Sequence, residues 1–171
     1  MNDIANNIWE EEHSSKRRVC MLMITHACNL KCSYCYETHK QNAYMTIDLA
    51  KNIILKEAEM IEHSDKFDEI QIDFMGGEPL MNFTLIKEIV EWLEKGAINV
   101  PWVCFASTNA TLINDDIKDW LKKHKKYMIL GISYDGTSKM QSQNRGTDNY
   151  EIDLDFFHNL WPEQTFQMTI S

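Results

Sequence analysis

Val19-Cys-Met-Leu-Met-Ile24 runs directly into Thr25-His-Ala-Cys-Asn-Leu-Lys-Cys-Ser-Tyr-Cys-Tyr-Glu37. The first stretch is a continuous apolar run of strand length. The second places Cys28, Cys32 and Cys35 so close together that one loop can offer all three thiols to a single metal centre. Three thiolates saturate neither a tetrahedral zinc nor the four irons of a cubane cluster, so a cluster held by them keeps one iron open to something other than protein.

Downstream, Thr46 offers an N-cap, and Ile47, Leu49, Ala50, Ile53, Ile54, Ala58 and Ile61 recur at helical spacing to about residue 62. The order strand, loop, helix then repeats. Glu69-Ile-Gln-Ile-Asp-Phe-Met75 reads as a strand and Gly76-Gly-Glu-Pro79 as its loop; Asn82 is read as the cap of a helix carrying Leu85, Ile86, Ile89, Val90 and Leu93 and stopping at Gly96. A third strand, Trp102-Val-Cys-Phe-Ala-Ser107, is followed by Thr108-Asn-Ala-Thr111 and a helix capped by Asn114. The fourth, Tyr127-Met-Ile-Leu-Gly-Ile-Ser133, leads to a polar loop through Asp135, Gly136 and Arg145. A short helix at 153 to 160 and a last strand at 165 to 170 complete the reading. Such alternation predicts an α/β fold with a parallel sheet and right-handed crossovers, and ligand sites in such sheets lie at the carboxyl ends of the strands. The cysteine loop and the Gly-Gly-Glu-Pro loop both fall at that end.

Composition narrows the function. Acidic residues outnumber basic ones by 26 to 17, which argues against a nucleic-acid partner, since phosphate binding needs clustered Lys and Arg. The run Lys122-Lys123-His124-Lys125-Lys126 ends a helix and reads as a solvated terminus. No apolar stretch approaches the roughly 18 to 20 residues needed to span a bilayer, so a membrane location is not expected. Five cysteines, three of them packed together, suit a reducing, cytoplasmic compartment and a metal site better than a disulfide framework. Cys20 and Cys104 lie in apolar runs and read as buried small hydrophobes, the ten methionines as mostly core filler. Trp92, Trp102, Trp120 and Trp161 are expected in core or helix packing. Residues 1 to 17, polar apart from Ile8 and Trp9, read as a lead-in to a domain over 18 to 171.

Cys-x3-Cys-x2-Cys after a first strand, with Tyr34 before the third cysteine, resembles the signature of the radical S-adenosylmethionine enzymes, and Gly76-Gly-Glu-Pro79 resembles that family's second motif. The flanking residues, with Thr108-Asn-Ala-Thr-Leu and Ser133-Tyr-Asp-Gly136, are similar to the branch that modifies peptides and proteins, the sulfatase-maturing enzymes and other maturases. The resemblance implies a partial (β/α) TIM-like barrel of parallel strands. It also implies a 4Fe-4S cluster on Cys28, Cys32 and Cys35, with S-adenosylmethionine on the fourth iron. Reductive cleavage of that cofactor would give a 5′-deoxyadenosyl radical that takes hydrogen from a peptide or protein. The implied partners are that substrate and a reductant such as flavodoxin or ferredoxin.

Cofactor contacts follow by the same resemblance. Gly76 and Gly77 let the backbone approach closely, Glu78 accepts hydrogen bonds from the ammonium group, and Pro79 stiffens the turn. Tyr34 lies near the adenine. Ser133 and Asn109 contact the cofactor, and Arg145 is a candidate for its carboxylate. Met75 departs from the pattern, since several relatives carry a glutamine there. Five strands are present against the six common in the family, so a fragment, or a short form completed by a partner, is the expectation, with an open sheet edge prone to association.

Alternatives stand beside these readings. His39 would complete Cys-x3-Cys-x2-Cys-x3-His as a closed zinc site. His26 reads as a loop histidine packing beside the site. Asn109 and Ser133 can equally end strands by bonding local backbone, and Asp135-Gly136 is first a turn signal. A homologue that binds the cluster without turnover is the remaining possibility.

Overall fold

Each apolar run becomes one strand of a single five-stranded parallel sheet, and each amphipathic segment a helix packed on one face of it. The computed structural model describes residues 16–38, 40–146, 152–162 and 166–167. The strands are β1 (Arg17–Thr25), β2 (Glu69–Gly76), β3 (Trp102–Thr108), β4 (Met128–Ser133) and β5 (Phe166–Gln167). They pair in the order β1-β2-β3-β4-β5, every pair parallel. The helices are α1 (Ile47–Glu62), α2 (Phe83–Glu94), α3 (Asp115–His124), α4 (Ser138–Arg145) and α5 (Leu154–Leu160). This is the expected α/β architecture, an open part of a TIM-like barrel.

Strand alternation decides which face holds the core. Cys20, Leu22 and Ile24 of β1, Ile70, Ile72 and Phe74 of β2, Cys104 and Ala106 of β3, and Met128, Leu130 and Ile132 of β4 are buried together. Against them pack Ala50 and Ile54 of α1, Ile86, Ile89 and Val90 of α2, and Ile117, Trp120 and Leu121 of α3. Leu49 stands outside the α1 stripe and is half exposed. Cys20 and Cys104 are the buried hydrophobes expected of them: burial pushes the Cys20 thiol up to about 11, and the Cys104 thiol further still. Trp120 is buried, and Trp92, Trp102 and Trp161 are half-buried against the core.

Among the described residues no helix covers the opposite face of the sheet, and this corrects the reading of methionine as core filler. Met128 is buried, but Met21 is 70% and Met23 38% exposed, and Met60, Met81 and Met140 are exposed as well. An open barrel leaves one strand face without a helical layer, so β1 turns Val19, Met21 and Met23 outward although the run is apolar throughout.

Two local readings change. Thr46, Asn114 and Asp153 cap their helices, accepting from Leu49 N, Ile117 N and Phe156 N, but Asn82 does not cap α2. Pro79–Asn82 forms a 3-10 turn that delivers the chain into α2, and the Asn82 amide donates to Ile24 O at 3.0 Å. The polar loop after β4 also contains a helix, α4, capped by Thr137 and ended by Gly146 at φ 71°. It buries Gln141, Asn144 and Arg145 in place of an apolar stripe. Residues 1–15, His39 and all but two residues of the last strand lie outside the described residues. Among the described residues no helix is long and apolar enough to cross a membrane.

Candidate functional site

At the carboxyl ends of the strands, Cys28, Cys32 and Cys35 line one cleft with Gly76, Gly77 and Glu78 of the β2 loop, Asn109 after β3, Ser133 at the end of β4, and Arg145 of α4. Its empty space is about 620 Å³, part of it open to solvent. The sequence motifs, far apart in the chain, thus share one space.

The cysteine and glycine loops touch backbone to backbone. Gly77 N donates to Thr25 O at 3.2 Å and Glu78 N to Ala27 O at 2.8 Å. A Cβ at Gly77 would lie 2.4 Å from Ala27 O and 2.9 Å from Cys28 Cβ, and one at Gly76 2.7 Å from Thr25 O. The glycines are therefore needed for contact with the cysteine loop itself, whatever else they approach.

Glu78 is the tie between three loops. Its carboxyl, 2% exposed, accepts from Thr108 Oγ1 at 2.6 Å, Asn109 N at 2.8 Å and Leu80 N at 3.1 Å. Burial raises its pKa, and the three hydrogen bonds oppose that rise. Pro79 is buried at the first position of the 3-10 turn. Asn109 is engaged locally: its Oδ1 accepts from Thr111 N at 3.0 Å, and its Nδ2 donates to Asn29 Oδ1 at 3.0 Å. Ala110 beside it holds φ at 61°, a left-handed turn that costs a non-glycine residue about 1–2 kcal/mol.

On the other wall, α4 grips the cysteine loop. Ser33 N donates to Asn144 O at 2.8 Å. Asp135, fully buried, receives Arg145 Nη2 at 2.8 Å and Nε at 3.0 Å, and the Tyr34 hydroxyl at 3.0 Å. Gln141 Oε1 accepts from Asp135 N and from Arg145 Nε. Asp135 is thus far more than a turn residue, and Arg145 reaches the cleft already paired with it. Tyr34 lies under the Arg145 guanidinium, whereas Tyr36, 74% exposed, is the aromatic residue on the cleft rim.

Tyr36, Lys40, Ser107 and Thr108 line the cleft although the sequence reading did not single them out as site residues, Thr108 only as the start of a family-like loop. Ser107 and Thr108 end β3, and the strand-end rule alone could have found them. Lys40 enters from the far end of the cysteine loop, where its ammonium bonds Leu30 O, and nothing in the sequence marks it. Burial pushes the Cys32 thiol up, and Arg145 and Lys40 oppose that while Cys28 and Cys35 add to it. His26 packs beside the site, its Nδ1 3.6 Å from Glu37 Oε2.

His39, the fourth ligand of the zinc alternative, lies outside the described residues. Zinc–thiolate bonds of about 2.3 Å bring neighbouring sulfurs within about 4 Å of each other. Among the described residues no three His, Cys, Asp or Glu side chains close on a single ion in that way. Three cysteines of one loop, all lining one cleft with the Gly-Gly-Glu-Pro loop, are the donor set of a cluster that takes three protein thiolates and leaves one iron open.

A family profile described as a 4Fe-4S single cluster domain matches residues 17–153. An uncharacterized protein of Methanocaldococcus jannaschii is 40% identical over 116 residues, which is 68% of this chain and 38% of that protein. The radical SAM cyclopropyl synthase TigE of Paramaledivibacter caminithermalis is 26% identical, covering 87% of this chain and 39% of its own length. Among solved structures, native anSMEcpe with bound AdoMet and Cp18Cys peptide superposes with a TM-score of 0.67 at 22% identity, over 89% of this chain and 41% of that one. The chain spans about two fifths of the length of these relatives.

Proposed function

Because the chain belongs to the 4Fe-4S single cluster domain family, within the radical S-adenosylmethionine enzymes, we propose that it is the cofactor-binding core of a peptide- or protein-modifying member. Cys28, Cys32 and Cys35 would hold the cluster, and the cleft beside them S-adenosylmethionine. When bound, that pair supplies one-electron cleavage of the sulfonium and a 5′-deoxyadenosyl radical that removes hydrogen from substrate.

The chain's own residues account for the positioning. The Glu78 ties to Thr108 and Asn109 fix the β2 and β3 loops as one wall. The Asp135–Arg145–Gln141 group fixes α4 as the other. Rigid walls convert binding energy into orientation of the reacting bond. Ser133, Asn109 and Tyr36, which line the cleft, would touch the cofactor. With Arg145 paired to Asp135, its part in carboxylate binding is as an already neutralised donor, while Lys40 brings further positive charge. Residues 18–171 would form this core, preceded by the lead-in.

The observation that carries the reading is that three thiols and the Gly-Gly-Glu-Pro loop, from different strand ends, line one cleft. A peptide substrate is supported by the likeness to anSMEcpe, whose structure holds AdoMet with a peptide. The test is 5′-deoxyadenosine production by anaerobically reconstituted, dithionite-reduced protein. Formation lost on Cys32→Ala supports the proposal; absence of any product from cluster-loaded protein counts against it.

A further inference from the structure

Asp73 is a carboxylate set in an apolar part of the uncovered sheet face. On β2, Ile70, Ile72 and Phe74 are buried against the helices, so Glu69, Gln71, Asp73 and Met75 point the other way. The register sets Met21 of β1 on one side of Asp73 and Phe105 of β3 on the other, with Met23 beside Met75 in the next row. Met21 and Met23 are exposed. The face runs on into the cleft, which Met75 and Ser107 line. Asp73 and Phe105 stand two residues before them on the same strands and the same side, about 7 Å back along the sheet.

The neighbouring charges leave Asp73 without a cation of its own. Arg17 is committed to Glu69, Nε to Oε2 at 2.9 Å, and its Nη1 donates to Gln71 Oε1 at 3.1 Å. Gln71 Nε2 in turn donates to Asp73 Oδ1 at 2.7 Å. A neutral amide thus stands between the guanidinium and Asp73, and Asp73 forms no ion pair among the described residues. Burial raises its pKa, which the Gln71 bond and the field of Arg17 oppose without cancelling. The cations of the cleft are engaged elsewhere, Lys40 with Leu30 O and Arg145 with Asp135.

We propose that Asp73 anchors a lysine or arginine side chain of the peptide substrate, with the apolar stem of that side chain lying on Met21, Met23 and Phe105. The inference rests on the peptide reading above and names a subsite within it. Such a side chain brings what this face lacks, a cation at the end of a methylene stem. Methionine suits the stem, because an unbranched thioether adapts to varied shapes. A cationic head bound at Asp73 would hold the segment that carries it near Met75 and Ser107. The anchor would thereby select which residue of the peptide is presented to the cleft.

The test is a binding selection, read without turnover. Random N-acetylated heptapeptides, with norleucine included as the uncharged counterpart of lysine, are held on beads by their C-termini and incubated with the reconstituted protein. The side chains enriched at each position are then counted. Acetylation removes the terminal amine, so an enriched cation is a side chain. Asp73→Asn removes the charge at nearly constant volume, and Asp73→Lys reverses it. Glu59→Gln makes the same change in net charge as Asp73→Asn at an exposed position of α1, on the helical side of the sheet. Thermal melting and iron content check folding and loading in every variant.

The parent should enrich lysine and arginine over norleucine about 5-fold at one position, the scale of a partly exposed charge pair. Asp73→Asn should bring that ratio within about 2-fold of unity, while Glu59→Gln keeps the parent's preference. Asp73→Lys should enrich aspartate and glutamate at the same position, a gain that structural damage does not produce. A parent with no preference for cations, or a preference that survives Asp73→Asn, would overturn the anchor and leave the peptide reading standing. A parent that enriches no peptide would overturn the peptide reading, and the anchor with it.

Discussion

Replacing Gly77 by Ala inserts a methyl group where the chain has no room. The new Cβ would stand 2.4 Å from Ala27 O, 2.8 Å from Ala27 C and 2.9 Å from Cys28 Cβ. Two of these are backbone atoms that no side-chain rotation can move, so the loops must part by about 1 Å to reach ordinary contact. That parting strains the Gly77 N to Thr25 O and Glu78 N to Ala27 O hydrogen bonds, each worth about 0.5–1.5 kcal/mol. With about 1–3 kcal/mol for overpacking, the cost is about 2–6 kcal/mol. At about 2–4 °C per kcal/mol for a chain of this size, melting should fall by about 4–24 °C. Because Cys28 is one of the groups displaced, iron uptake should fall too. Gly96→Ala is the control: nothing lies within 4 Å of its Cβ, and only its φ of +81° is strained, so iron uptake should persist. A Gly77→Ala protein that melts within about 2 °C of the parent and binds the same iron would refute the reasoning.

Other perturbations follow from the same contacts. Glu78→Gln turns an acceptor of three donors into a group that must oppose one of them with its own NH2, and thermal denaturation should show a loss of about 1–3 kcal/mol. Arg145→Lys cannot reproduce the two-pronged contact with buried Asp135; stranding that charge should cost up to about 3–5 kcal/mol, read by denaturant unfolding. Asp73 is half-buried on β2, and burial raises its pKa above the ordinary 3.8 although Gln71 and Arg17 oppose the rise. A raised carboxyl favours the folded state most below 3.8, and that contribution is lost as pH climbs through the folded value. Asp73→Asn should therefore flatten the decline in stability over that window, and melting temperatures that track the parent at every pH would contradict it. In cluster-free protein, iodoacetamide should label Cys28, Cys32 and Cys35 while Cys20 and Cys104, buried and with raised pKa, stay protected.

What could be read from the chain depended on whether the signal was apolar periodicity. β1 to β4 and helices α1, α2 and α3 each carry it, and the site loops follow from strand ends. α4 does not, because Ser-Lys-Met-Gln-Ser-Gln-Asn-Arg has no stripe. It is held by polar burial around Asp135, a partner visible only once β4 and α4 are side by side. Asn82 has the right residue type for a cap, but Pro79 begins a 3-10 turn that takes its amide to Ile24 O. The outward methionines of β1 were hidden because a run apolar on both faces does not say which face the helices will cover. Within the site, the three cysteines and Gly-Gly-Glu-Pro were legible as motifs, whereas Lys40, from the end of its own loop, carried no local pattern.

The central claim, that Cys28, Cys32 and Cys35 hold an iron–sulfur cluster with an open iron, is tested most directly by metal and sulfide analysis. It should be joined to electron paramagnetic resonance of the anaerobically reduced protein, recorded before and after addition of S-adenosylmethionine. The account predicts about four irons and four sulfides per chain and a reduced-cluster signal that changes on cofactor addition. Stoichiometric zinc with no iron signal, or a cluster signal indifferent to S-adenosylmethionine, would contradict it.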